Sequence, residues 1–292
     1  MFKTILVPLT GFDSDNTALD TAYLAGRPFD AHIVCVHVRA DPAHLAAKSS
    51  VYDLGTGASG AEFFAALEEE NDLRSKRARI AFAEFCQRWQ VSVSDTHAGS
   101  KGVSATWREV KGDEVDTTIA LARFHDLVVM GRAPVASALS TAGIGAVLIG
   151  GGRPLLLATS RTPESLGSTV AIAWKESPEA ARALTAAMPL LACAGRIIVL
   201  TAGDDPGKAG PLVESAERVA TQLRWNGLAA EVRYLVPGGR SLSDAVLETA
   251  AALGADVLVM GGYGHSRVRE LVFGGFTRQV LTASPLPVFL FH

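Results

Sequence analysis

Cysteine is scarce in this chain. Its three copies, Cys35, Cys86 and Cys193, are scattered without CxxC spacing. That argues against a disulfide framework and a cysteine-built metal site, so each thiol reads as a small buried apolar residue. Long hydrophobic runs are missing too. No stretch of 18 apolar residues occurs, so no membrane span is expected. An excess of one charge is absent: 27 basic residues face 30 acidic ones, a formal net charge of −3. This balance gives no electrostatic case for nucleic acid as a partner. The acidic run EEEN at 68–71 is short and reads as a solvated helix face. The opening MFKTILVPLT has neither the basic start nor the apolar core of a signal peptide. A cytoplasmic, reducing compartment is the expectation.

Catalytic signatures are lacking as well. There is no P-loop, HExxH, HxxE or GxSxG, and the seven histidines pair with no serine or cysteine in a motif. No catalytic residue and no metal ligand is assigned. His32 and His37 lie five apart on a strand pattern and so on opposite faces. One is expected at the surface and the other as a satisfied core or switch-point residue.

What the chain does have is apolar content and a repeat. With 48% hydrophobic residues over 292 positions, two domains with full cores are favoured over one. Residues 126–131 read DLVVMG, and residues 256–261, 130 positions on, read DVLVMG. RPLLLATS at 153–160 parallels LPVFLFH at 286–292, and KTILVPLT at 3–10 parallels STVAIAW at 168–174. Three apolar strands in one order at nearly one offset indicate duplication of a whole small domain. The polar stretch SRTPESLGS at 160–168 is the seam, giving domains at 1–160 and 168–292.

Each half alternates short apolar runs with helical patterns, which implies an α/β fold: two tandem, doubly wound parallel sheets. In the second half Ser177 is a candidate N-cap, with Pro178 and Glu179 in the first turn. Helical periodicity covers 211–226, Ser241 to Leu253 and 275–284. The first half differs by an insertion near 40–60, rich in Ser, Gly and Ala, before a long helical pattern from about Ala61 to Trp89. A surface insertion is the plain reading; a lid or partner surface is the sharper one. The last strand of each half, 154–158 and 287–291, is apolar without a gatekeeper lysine and would be an exposed edge alone. The two are therefore expected to pair with each other, forming a pseudo-dimer within one chain; a homodimer of chains stays open.

In open α/β sheets a ligand sits outside the carboxyl ends of the strands, at the switch point. There the second half reads GGYGHSRVRELVFGGFTRQVL, residues 261–281. Gly261 and Gly264 are followed at a distance by Gly274 and Gly275, where the last helix should begin. Glycines admit a phosphate close to the backbone, and a helix N-terminus offers free N–H groups to an anion. Thr277 adds a hydroxyl, while Arg267, Arg269 and Arg278 could add charge. A tight strand-to-helix turn would explain the first two glycines equally well. His265 would line the mouth of such a site.

The chain resembles the universal stress protein family, which binds ATP through G-x2-G-x9-G-(S/T); Gly261, Gly264 and Gly274 match that pattern. The resemblance covers both halves and implies a Rossmann-like fold of the adenine nucleotide alpha hydrolase type. It implies ATP, or AMP or ADP, as the ligand, with Mg²⁺ an open companion. The implied contact set is Ala173, Lys175, Ala202, Gly261, Gly264, His265, Arg267, Gly274, Gly275, Phe276 and Thr277. The implied role is a stress-response sensor or adaptor with a protein partner; a slow ATP hydrolase, or an interaction module with both sites lost, are the alternatives. Two departures stand out. Gly275 replaces the motif's Ser/Thr, and Lys175 stands where the family has a nucleoside-facing Asp. The first half departs further. Pro134 replaces the second glycine after Gly131, Thr10 takes the Asp position, and Gly143 and Gly145 do not restore the spacing. That half reads as a degenerate, structural site.

Overall fold

A computed structural model describes residues 1–41, 58–95, 101–135, 137–203, 207, 209–262 and 275–292. The inserted segment at 42–57 lies outside the described residues.

The first half contributes β1 (Thr4–Leu9), α1 (Ser14–Gly26), β2 (His32–Ala40), α2 (Ala58–Trp89), β3 (Ser92–Val93), β4 (Ser104–Gly112), α3 (Glu114–Ala122), β5 (Leu127–Met130), α4 (Thr141–Gly151) and β6 (Leu155–Leu157). The second contributes β7 (Thr169–Ala173), α5 (Pro178–Leu191), β8 (Arg196–Ala202), α6 (Ala209–Trp225), β9 (Ala230–Leu235), α7 (Leu242–Ala252), β10 (Val257–Gly261), α8 (Gly275–Ala283) and β11 (Val288–Phe291). All three repeat pairs seen in the sequence fall on equivalent strands. The helix starts follow local chemistry. Ser177 and Ser241 cap α5 and α7 by accepting from Ala180 N and Asp244 N, satisfying donors the helix cannot.

The strands form one sheet of order β3-β4-β2-β1-β5-β6-β11-β10-β7-β8-β9. Within each half the strands are parallel, and β1 and β7 sit beside β5 and β10 at the switch points. The halves join where β6 and β11 pair antiparallel, with Val288 opposite Leu157, Phe289 opposite Leu156 and Leu290 opposite Leu155. This is the edge pairing expected from the apolar last strands. Those six side chains are all but fully buried, each removal from water contributing roughly 1.5–3 kcal/mol.

One apolar layer lies under α1, α2, α5 and α6 and runs across the join through Leu156 and Phe289. The other lies under α3, α4, α7 and α8. The aspartates of DLVVMG and DVLVMG have a shared task. Asp126 Oδ2 accepts from the backbone of Lys3 and Thr4 at 2.8 and 2.9 Å. Asp256 accepts from Gly167, Ser168 and Thr169. Asp126 ties the start of β1 to β5, and Asp256 the start of β7 to β10.

Three expectations need correction. Cys193 is exposed, because it follows the C-terminus of α5; only Cys35 is fully buried. Neither His32 nor His37 is at the surface. His32 is held by Ser104 Oγ at 2.9 Å and His37 by Leu9 O at 2.8 Å, because strands flank β2 on both sides. In the EEEN run the glutamates are solvated, but Asn71 is buried and donates to Ala40 O at the end of β2.

Candidate functional site

The two halves place equivalent positions at the carboxyl ends of their strands, and they treat them differently. At the end of β1, Thr10 and Gly11 turn the chain toward α1. Asp15 closes that turn: its Oδ1 accepts from Thr10 N and Thr10 Oγ1 at 2.9 Å, and its Oδ2 from Gly11 N at 2.7 Å. Burial pushes the Asp15 carboxyl up to about 6, against the opposing pull of the Thr10 and Gly11 bonds.

Over this turn lies α2. Its Arg74 donates through Nε to Thr10 O at 2.7 Å and places Nη2 2.5 Å from Glu114 Oε1. The guanidinium also sits over the Phe12 ring, 5.3 Å from its centroid. The approach is close enough that a Cβ on Gly11 would fall 2.5 Å from Arg74 O. Glu114 is buried, which raises its carboxyl pKa, and Arg74 is its counter-ion. His37 lies at the same edge; burial lowers its pKa, and because Leu9 O can only accept, Nδ1 carries the proton. The ends of β1 and β2 are thus filled by the chain itself.

At the end of β7 no such helix intervenes among the described residues. Ala173 is half-buried as the last residue of the strand. Trp174 turns into the α5–α6 side and donates to Ser215 Oγ at 3.0 Å; Ser215 in turn donates to Glu176 at 2.7 Å. These residues border an open groove of about 520 Å³ that Arg218 also lines. The hydroxyl of Ser215 holds Glu176 aside and leaves Lys175 exposed, with no ion pair or hydrogen bond among the described residues. Ala202 ends β8 half-buried beside it.

The motif residues divide into three groups. Gly264, His265, Arg267, Arg269 and Gly274 lie outside the described residues. Gly261 ends β10, and a Cβ there would come within 2.5 Å of Ala180 N at the start of α5. Gly131 is in the same position: its Cβ would meet Ser14 O at 2.4 Å. These two glycines let α1 pack against the end of β5 and α5 against the end of β10, so helix packing accounts for Gly261 without a ligand. The third group opens α8. Gly275 is exposed, with open space where a side chain would grow. Phe276 packs on the apolar layer beneath α7 and α8, and Thr277 is buried. The axis of α8 is fixed by Gln279, which is hydrogen-bonded to Ser243 Oγ and Asp244 on α7.

Sequence reasoning missed Arg74, Glu114 and Asp15. Their signal was faint: an acid six residues after the strand end, and a glutamate at a helix start joined to an arginine 40 positions away.

The description "Universal stress protein family" fits this chain twice, over residues 1–149 and 168–292. Over 78 residues it is 37% identical to Universal stress protein Slr1230 of Synechocystis sp. (strain ATCC 27184 / PCC 6803 / Kazusa), a match covering 27% of this chain and 25% of that relative. A universal stress protein from Archaeoglobus fulgidus DSM 4304 shares the fold with a TM-score of 0.66 at 18% identity, over 99% of this chain and 95% of its own. The Pseudomonas aeruginosa PAO1 protein PA1789 does so with a TM-score of 0.57 at 16% identity, over 99% and 92%. With both halves matched and one parallel α/β plan used twice, the chain belongs to the universal stress protein family.

Proposed function

We propose that this chain binds an adenine nucleotide, ATP first among them, at the carboxyl edge of its second half, and acts as a stress-response sensor or adaptor. The observation that carries this reading is the asymmetry of the two edges. Arg74, Glu114 and Asp15 fill the first. At the second, Lys175 is exposed and α8 begins on a glycine with open space in front of it. A helix N-terminus and an ammonium group without a partner among the described residues are what a phosphate needs. The spacing of Gly261, Gly264 and Gly274 supports the same place.

Calorimetric titration of the full chain with ATP is expected to give one nucleotide per chain. Gly264→Val should abolish that binding and leave the melting temperature unchanged, since it places a side chain where phosphates are proposed to lie. Undiminished affinity in Gly264→Val would remove the assignment. Gly131 and Gly261 are unsuitable for this test, because a side chain at either strikes the neighbouring helix.

A further inference from the structure

Helix α2 is almost twice the length of its counterpart α6, 32 residues against 17. Its inner face is spent on the sheet: Ala78, Ala81, Phe82 and Phe85 are buried. Its outer face has a pattern of its own. Ala66, Leu73 and Ile80, seven residues apart, are all exposed, Leu73 by 42% and Ile80 by 56%. Their spacing puts all three on one face of the helix, in a single apolar row flanked by charges rather than the double row of a coiled coil.

The charges beside this stripe are segregated. Glu69 and Glu70 precede Leu73, and Lys76 and Arg77 follow it. All four are exposed, and among the described residues none makes an ion pair or hydrogen bond. Glu68 and Asp72, by contrast, are committed to Arg39 at 3.1 and 2.7 Å.

Such a stripe complements itself in one arrangement. A parallel pair would set like charges side by side. An antiparallel pair with its two-fold axis at Leu73 sets Leu73 on Leu73 and Ala66 on Ile80. It also sets Glu70 beside Lys76 and Glu69 beside Arg77, each twice by symmetry; Glu62 meets Glu84 at the two ends, and the opposite charges at the centre outnumber these like pairs. Sliding the helices until Leu73 faces Ile80 would bring Lys76 against Arg77 and Glu69 against Glu84, so charge selects the first register. We propose that the outer face of α2 is a dimerisation surface for a second copy of this chain, packed antiparallel about a two-fold axis through Leu73.

The test is sedimentation of the full chain from about 1 to about 200 µM. The wild type should dimerise with concentration and less so at high salt. Leu73→Asp should weaken the dimer roughly a hundredfold, by placing two like charges on the axis. Lys76→Glu with Arg77→Glu makes the centre of the face acidic, and Glu69→Lys with Glu70→Lys makes it basic. Each should be monomeric alone, and an equimolar mixture should dimerise again. The substituted side chains are exposed, and unchanged melting temperatures check that each variant is folded. A wild type monomeric at the highest concentration overturns the proposal. So does a dimer indifferent to Leu73→Asp, or a mixture of the two charge variants that stays monomeric.

Discussion

The carboxyl edges of the two halves are built from equivalent strands in the same order, yet among the described residues one is sealed and the other is not. In the first, Thr10 and Gly11 are bound by Asp15 from below and by Arg74 from above. In the second, the corresponding Lys175 and Glu176 part company, Glu176 toward Ser215 and Lys175 toward solvent. The difference shows how an α/β crevice can be filled by its own chain. Strand ends present backbone N–H and C=O groups that need partners. When no ligand supplies them, the chain must, and here one arginine on an extended helix does so. The seal then has its own requirement: a buried guanidinium needs a buried carboxylate, which Glu114 provides.

This contrast can be broken most drastically by separating the halves. A chain of residues 165–292 would expose the backbone edge of β11 that β6 covers in the intact protein. It is expected to self-associate or precipitate, read by light scattering, while the full chain stays in solution. A well-behaved monomer of 165–292 would mean that edge is protected some other way.

A gentler break removes one side of the seal. Glu114→Ala leaves Arg74 buried without its counter-ion, and urea unfolding should show a loss of about 3–5 kcal/mol. A loss near zero would mean that Arg74 finds water and that the first edge is not sealed. The smallest effect sharpens the other side. Gly275→Ser restores the hydroxyl of the family motif at a position with open space. It should tighten ATP by about 0.5–1.5 kcal/mol, the usual worth of one hydrogen bond, with stability hardly altered. Weaker binding would place the phosphates elsewhere.

Much of this architecture was legible because burial on both faces leaves a plain mark. Runs such as ILVPL, LVVM and VLVM admit few alternatives to central parallel strands. The repeat and the edge pairing of β6 with β11 followed from such runs. Polar roles were harder to read, because they depend on partners distant in sequence. Arg74 looked like one basic residue in a charged helix, and only the fold brings it to Thr10, 64 positions away. Gly261 was legible as important but not for its actual packing reason. A clue was present: Gly131 survives in the half whose motif is otherwise lost, as a glycine retained for packing would. The aspartates opening the two repeated hexapeptides carried a similar clue.

The antiparallel join of β6 to β11 reverses the direction of every strand from one half to the next. The carboxyl edges of the two halves therefore face opposite rims of a single sheet. What α2 and Arg74 do at the first rim therefore leaves the strand ends of the second half untouched, and the chain carries two mouths that can be altered one at a time.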